Sequence, residues 1–480
     1  MSVSIQELAK RSDIKFGTSG LRGLVENLTD EVCFAYTKAF LLSQEGTFKK
    51  VAIGHDLRPS SPQITKACIA AIESQGLEPI YLGALPTPAI AYYCLYKKIP
   101  GIVVTGSHIP FDRNGIKFYR TDGEISKTDE EAIMRSRLEV ESDNLGTSLP
   151  AFDREAIELY QKRYIDFFGT NFLSGKTIAI YQHSSVARDF LDDLFQAMGA
   201  KTLLLGRSDE FVPIDTEAVR EDDINQAKQW AKNHSFDILI STDGDADRPL
   251  IADEHGEFIR GDILGILTAE YLQADHVVTP VNSNTAVELT NNFKSVMRTK
   301  IGSPFVINGM NKLRTKDPAA IIVGYEANGG FLLETTATKK TKSLRPLPTR
   351  DAILPMLAVI GLSLQFKIPV SKVTRTLPHR YTFSDRLQNF PNEASAIFIN
   401  ELINKPDLIQ EYLEFKNTVK ALDQTDGLRF TLTSGDIIHL RPSGNAPELR
   451  VYAESCNKKK SERIIKFCIE KLNEYAHMTR

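Results

Sequence analysis

An α/β fold is predicted for this chain, and three observations carry the prediction. Short β-branched runs such as Val51-Ala52-Ile53, Pro79-Ile80-Tyr81-Leu82 and Ile102-Val103-Val104 alternate with helical stretches, the pattern of an α/β layer. The 480 residues suffice for three or four domains with separate cores. Several of the predicted strands run straight into loops rich in hydroxyl or charged side chains, so the candidate chemistry falls at strand ends.

Taken in order, the first domain is expected to span residues 1–150 and to contain those three strands. Tyr160, Tyr164, Phe167 and Phe168 recur at helical spacing and read as a core stripe bridging to a second α/β domain, 151–254, whose first strand is 177–181. His183-Ser184-Ser185 follows that strand and reads as a helix cap in preference to a second nucleophile. A third α/β domain, 255–368, holds Val277-Val278 and Ala320-Ile321-Ile322-Val323. The apolar stretch 352–362, with Pro355 and Gly361 inside it, is too short to cross a bilayer and reads as a core helix. The remainder, 369–480, combines hairpins with an amphipathic helix around Ile464, Ile465, Cys468 and Leu472, and is expected to be a smaller α+β domain. No internal repeat is visible in the letters.

Composition narrows the partners. Lys and Arg number 58 against 61 Asp and Glu, a formal net charge of −3, so neither nucleic acid nor an anionic membrane is an expected partner. Lys458-Lys459-Lys460 lacks interleaved aromatics and reads as a solvated helix start. The cysteines, Cys33, Cys68, Cys94, Cys456 and Cys468, are scattered, odd in number and without a CxxC pair, which suits packing roles in a reducing compartment. The first residues lack a basic start and an apolar core, so a cytoplasmic protein is predicted. Oligomeric state leaves no mark in the letters.

Three segments carry chemistry. In Thr105-Gly106-Ser107-His108-Ile109-Pro110, a buried strand stops at a turn that holds a serine. Asn114-Gly115 reads as a reversal, after which Lys117 alternates onto the face opposite Ile116 and Phe118 and can point back at Ser107. That suggests a covalent nucleophile, against the simpler reading of a turn-forming serine. No G-x-S-x-G elbow surrounds it, and adjacent side chains on an extended chain diverge, so His108 is read as a local hydrogen-bond partner outside any hydrolase triad. In the second segment the strand 236–242 delivers Asp243, Asp245 and Asp247 into one loop. An all-oxygen set of like charges calls for a hard cation such as Mg²⁺. An EF-hand, with Glu254 as its last ligand, is opposed by Arg248 at the position that needs glycine and by a strand where a helix is required. In the third, the strand 437–440 enters Arg441-Pro442-Ser443-Gly444-Asn445-Ala446-Pro447 and Leu449-Arg450-Val451-Tyr452 leaves it. Ser443, Gly444 and Asn445 can turn backbone N–H groups to an anion between Arg441 and Arg450, though an ordinary hairpin loop would look similar.

Nucleophile, carboxylate cluster and cradle together resemble the α-D-phosphohexomutase family of bacterial phosphomannomutases and phosphoglucomutases. Lys15-Phe16-Gly17-Thr18-Ser19-Gly20-Leu21-Arg22-Gly23, Gly54-His55-Asp56-Leu57-Arg58-Pro59-Ser60-Ser61 and Gly324-Tyr325-Glu326-Ala327-Asn328-Gly329-Gly330 extend the likeness, in the family's order, over almost the whole chain. The resemblance implies three similar mixed α/β domains and a smaller C-terminal α+β domain around a central cleft. It implies a phosphoserine at Ser107, Mg²⁺ held by Asp243, Asp245, Asp247 and a Ser107 phosphoryl oxygen, and Lys117 as general acid or base. Arg22 and His108 would line the reaction centre, and Arg248 would lie beside the metal loop. Glu326 and Asn328 would meet sugar hydroxyls, and Arg441, Ser443, Gly444, Asn445 and Arg450 would hold the phosphate not being transferred. The implied activity interconverts hexose 6-phosphate and hexose 1-phosphate through a hexose 1,6-bisphosphate, which also serves as activator. Mannose is the first expected sugar, glucose the second and glucosamine the third. A metal-dependent serine phosphatase and a noncatalytic sugar-phosphate sensor are the readings from other classes. The chain departs from the usual family letters at Gly106 and Ile109 in the serine loop, at Asn328 in the sugar loop, and at Asn445 and Ala446 in the cradle.

Overall fold

The computed structural model describes residues 2–17, 20–139, 148–413, 417–443 and 448–478. Its first sheet sets Glu78–Ala84, Lys50–His55 and Gly101–Val104 side by side in parallel. Arg113–Arg120 then returns antiparallel, followed by Gly20–Leu24. The second repeats the order, with Lys201–Arg207, Thr177–His183 and Ile238–Thr242 parallel and Pro249–Ala252 antiparallel. So does the third, with Ser295–Thr299, His276–Pro280 and Ile322–Tyr325 parallel and Phe331–Leu333 antiparallel. The central strands are continuous apolar runs because parallel strands in such sheets are covered on both faces: Ile102, Val103 and Val104 are fully buried, as are Ile238 and Ile240.

This triplication is the repeat that the letters conceal. In each sheet the hairpin from the third strand to the fourth leaves from the strand's carboxyl end, where open α/β sheets place their ligands. Those hairpins are residues 105–112, 243–248 and 326–330, the segments singled out for serine, carboxylates and sugar contacts. One apolar core runs through all three sheets. At its centre lies the helix Ile353–Phe366, buried from Ile353 to Ser363, with Gly361 leaving room for the Tyr271 ring. Among the described residues no single helix is long and apolar enough to cross a membrane. The cysteines form no disulfide, and all but Cys456 are buried.

The fourth sheet is of another kind. Its strands Tyr381–Gln388, Glu448–Ser455, Ile437–Pro442, Leu428–Leu432 and Val419–Asp423 are antiparallel throughout, and the sheet has its own core, to which the helix Lys458–Met478 contributes Ile465, Cys468 and Leu472.

Two local expectations are corrected. Asn114-Gly115 makes no turn; both residues lie inside the strand Arg113–Arg120, paired with Gly23 and Arg22. Strand pairing overrides turn propensity because a Cβ at Gly115 would come within 2.2 Å of the Leu21 carbonyl, an approach only glycine permits. Nor does His183-Ser184-Ser185 cap a helix. Ser185 Oγ accepts the N–H of Ala187 and bonds Thr242 Oγ1, tying two strand ends together, while the helix Arg188–Ala197 begins without a side-chain cap.

Candidate active site

Ser107 sits in the left-handed region, φ 53°, and is almost completely buried. That backbone turns its Oγ toward the second sheet, where it donates to Asp243 Oδ2 at 2.6 Å. The same twist brings Oγ within 3.4 Å of His108 Nδ1, so the two side chains converge, contrary to the expectation for an extended chain. The turn is held from behind. Asp56 accepts from Thr105 Oγ1 at 2.8 Å and from the Gly106 N–H at 3.2 Å, and the Ser107 N–H donates to Thr105 Oγ1 at 2.8 Å.

The three aspartates offer ligand oxygens that all lie within 4.8 Å of one another. Lys117 meets this cluster directly, donating to Asp245 Oδ2 and Asp247 Oδ2 at 2.7 Å each. Burial pulls its pKa down, but the two carboxylates outweigh that and raise it, so Lys117 is held protonated. Burial and the Asp247 charge push Asp245 up, and Lys117 and Thr87, which donates at 2.8 Å, bring it below the ordinary range. Asp247 is likewise lowered, with Arg350, Lys117 and Arg248 overcoming burial. Asp243 is pushed well above the ordinary range by burial and by the charges of Asp245 and Asp247.

These facts fit a divalent cation. Asp245 Oδ1 and Asp247 Oδ1 are buried without a hydrogen-bond partner, and an orphaned carboxylate oxygen is costly unless something positive meets it. The donors are all hard oxygens, the set Mg²⁺ takes. Glu254 belongs elsewhere, accepting from Ser371. Gly244, between the first two aspartates, permits close contact, since a Cβ there would stand 2.8 Å from the Ser107 carbonyl.

Lys117, Arg22, Arg248 and Arg350 lie around these carboxylates, and the Arg58 charge also acts on Asp243 and Asp245. Arg350 binds Asp247 Oδ2 through Nε at 3.0 Å and reaches Glu326 at 3.4 Å. Arg248 donates to His108 Nδ1 at 2.8 Å, and its charge, aided by burial, lowers His108 to about 2. His108 is therefore a neutral acceptor that orients Arg248. Arg22 is lowered to about 10 by burial and by the like charges of Arg248 and Arg350. An anion placed among three mutually repelling guanidinium groups would relieve that strain.

On the third sheet, Glu326 and Asn328 are nearly buried in the hairpin that faces this centre. Asn328 Oδ1 accepts the N–H of Gly330, and its carbonyl accepts from Thr216 at 2.6 Å. The cradle residues lie apart, on the fourth sheet. Arg441 and Arg450 are cross-strand partners, Arg441 donates to Asp426 at 2.9 Å, and the Ser443 N–H donates to the Glu448 carbonyl at 2.8 Å. Gly444 and Asn445 fall outside the described residues. Glu217 is raised by burial and by the Asp215 charge, against the opposing charges of Arg260, Arg450 and Arg248.

The serine, the lysine and the aspartates that the sequence singles out are brought together here, whereas Arg350, Thr87 and the backing of the turn by Asp56 were not foreseen. Arg350 lies between Thr349 and Asp351 in the strand Leu347–Asp351, where no local pattern sets it apart.

Comparison with known proteins agrees with this geometry. The chain matches the phosphoglucomutase/phosphomannomutase alpha/beta/alpha domains I, II and III over residues 13–143, 162–256 and 260–381, and the C-terminal domain over 399–471. It is 48% identical over 455 residues to a phosphomannomutase of Salmonella muenchen, covering 94% of this chain and 93% of that one. It is 39% identical over 461 residues to a phosphomannomutase of Sinorhizobium fredii, covering 94% and 97%. Its fold is similar to that of a phosphoglucomutase/phosphomannomutase family protein of Burkholderia thailandensis, with a TM-score of 0.73 at 18% identity, covering 98% of each chain. With all four domains matched in sequence and three repeated sheets converging on one buried serine and carboxylate cluster, the chain belongs to the phosphoglucomutase/phosphomannomutase family, the α-D-phosphohexomutases.

Proposed function

We propose that this enzyme interconverts mannose 6-phosphate and mannose 1-phosphate through a phosphorylated Ser107 and a hexose 1,6-bisphosphate, with glucose phosphate as second substrate. The observation that carries the reading is the 2.6 Å contact of Ser107 Oγ with Asp243, inside a cluster whose other two carboxylates are spanned by Lys117. Phosphoryl transfer needs alignment and charge neutralisation more than covalent assistance, and this centre supplies both.

In the first half-reaction the bond from Ser107 Oγ to phosphorus breaks as a sugar hydroxyl oxygen bonds the same phosphorus. The proton moves, in net, from that hydroxyl to Ser107 Oγ, and Lys117 is the group we assign to carry it. The bisphosphate turns over in the cleft, and its other phosphate returns to Ser107, so phosphate has moved between O6 and O1. Asp243, Asp245, Asp247 and the serine oxygen would hold Mg²⁺, which when bound draws charge from the transferring group's oxygens. Arg22 and Arg248, the latter aimed by His108, would grip those oxygens. Glu326, tied to Arg350, and Asn328 would meet the sugar. Arg441, Ser443, Gly444, Asn445 and Arg450 would hold the idle phosphate.

Both orientations of the bisphosphate must fit one pocket, so useful contacts fall on O3 and O4, which the turn nearly exchanges. Glucose and mannose differ at C2, which favours tolerance of both. The names of the relatives at 48% and 39% identity favour mannose as the first substrate. Turnover of mannose, glucose and glucosamine 1-phosphates, measured side by side with catalytic hexose 1,6-bisphosphate, tests the proposal. Mannose is expected to be fastest, with phosphate conserved in the 6-phosphate product. Steady release of inorganic phosphate would indicate a phosphatase, and binding without turnover a sensor.

A further inference from the structure

Arg58 has no part in the scheme above, yet among the described residues it is the largest side chain with essentially no exposure. A buried guanidinium is costly unless every donor is met. Here all five are used. Nε donates to Asp56 Oδ2 at 3.2 Å, Nη1 to the carbonyls of Pro110 and Arg113 at 2.6 and 2.9 Å, and Nη2 to those of Ser107 and Ile109 at 3.0 and 2.5 Å. Four carbonyls of the nucleophile hairpin therefore converge on one planar cation, and buried carbonyls of this kind need a partner.

The surroundings leave the group no freedom. A Cβ on Gly106 would fall 2.5 Å from Arg58 Cζ, so the residue before the nucleophile is one that lets the guanidinium pass. On another side the Phe211 ring, from the second domain, lies 4.0 Å from Cζ, a cation–π distance. Phe211 also stands where a Cβ on Gly244 would meet it at 3.3 Å, which makes the ring a spacer between the nucleophile hairpin and the metal hairpin. Ser107 itself occupies a left-handed backbone that is strained for a non-glycine residue and persists only where its surroundings over-determine it.

We propose that Arg58 is the positioning residue of the nucleophile hairpin: its five-donor clamp holds Ser107 in the left-handed conformation that aims Oγ at Asp243, and Phe211 ties that aim to the docking of the metal hairpin. The proposal rests on the reading of Ser107 as the phosphoryl carrier. Lysine at 58 keeps the charge and loses the fork, so it can meet one or two carbonyls where arginine meets four.

The test uses the full-length, Mg²⁺-loaded enzyme with mannose 1-phosphate and hexose 1,6-bisphosphate, and compares wild type with Arg58→Lys, Phe211→Leu and Ser107→Ala. Turnover is normalised to the number of sites that accept phosphate, counted by intact mass. A clamp predicts that Arg58→Lys lowers kcat per loadable site by about 10²-fold, the scale of a 1 Å misplacement, while KM stays within about threefold. Phe211→Leu, which keeps the charge and the fork, should fall between it and wild type. A merely structural role would reduce the number of loadable sites and leave turnover per site unchanged, which overturns the proposal. Ser107→Ala separates the two failures. Turnover retained there removes the carrier reading and the clamp with it; turnover lost there, with Arg58→Lys normal per site, overturns the clamp alone.

Discussion

The serine hairpin and the aspartate hairpin occupy the same place in two sheets of the same topology, yet they are held by different kinds of partner. The aspartate hairpin is held by backbone, its Gly244 and Asp245 carbonyls accepting the N–H groups of Val186 and Thr87 and the rest closing on itself. Asp243 Oδ1 accepts the N–H groups of Asp247 and Arg248 at 3.2 Å each, the Asp243 N–H donates to the Arg248 carbonyl, and Ala246 takes a left-handed φ of 59° to complete the turn. The serine hairpin is longer, and side chains from an adjacent loop serve its backbone, Arg58 donating to its carbonyls and Asp56 accepting the Gly106 N–H. The short turn uses one carboxylate both as a structural acceptor and as a candidate ligand. The long one separates the tasks, leaving the serine hydroxyl unburdened by loop architecture.

That contrast can be broken from the metal side first. Asp245→Ala removes a candidate metal ligand and a partner of both Lys117 and Thr87 and should cost about 10³-fold or more in turnover, several kcal/mol of charge stabilisation. Assays with and without a chelator check it: the wild type should fall to a similar floor when metal is stripped, and the variant should respond weakly to added Mg²⁺.

A smaller effect probes the contact between the hairpins. Gly244→Ala places a methyl 2.8 Å from the Ser107 carbonyl, so the two loops must separate. Turnover should drop by about 10²-fold with the Mg²⁺ requirement retained, measurable as a change in kcat at saturating metal. A wild-type kcat would mean that the loops are not held in register by this contact.

The smallest effect lies outside both hairpins and sharpens the comparison by showing what a buried group does when no reaction depends on it. His439, on the fourth sheet, bonds the Asp426 carbonyl through Nε2 at 2.6 Å, and its Nδ1 has no partner. Burial lowers its pKa to about 4, below the ordinary value of 6.5. The folded state thus binds fewer protons than the unfolded one between those values, so this contribution is complete above the ordinary pKa and is lost as pH falls toward 4. The expected loss by pH 5 is about 2 kcal/mol. Thermal midpoints at pH 7.5 and pH 5 should show it, and His439→Gln should flatten the difference.

How much could be read in advance followed from how local each feature is. Asp243, Asp245 and Asp247 alternate within five letters after an apolar strand, so their cluster is written in the chain itself. Arg350 reaches Asp247 across 103 positions and Arg58 reaches Ser107 across 49, and no local pattern marks such meetings. Asn114-Gly115 misled because its local preference for a turn yields to pairing with a strand nearly a hundred residues earlier.

By itself the sequence determined the α/β class, the strand-end serine, the carboxylate loop and the family, because alternation of apolar residues and short-range spacing of charges survive in one dimension. It took the folded chain to bring out that three sheets repeat one order, that Lys117 spans two aspartates, and that a fully buried arginine bonds four carbonyls of the Ser107 segment. Those facts depend on which distant backbones approach closely enough to exclude water, and that is a property of packing in three dimensions.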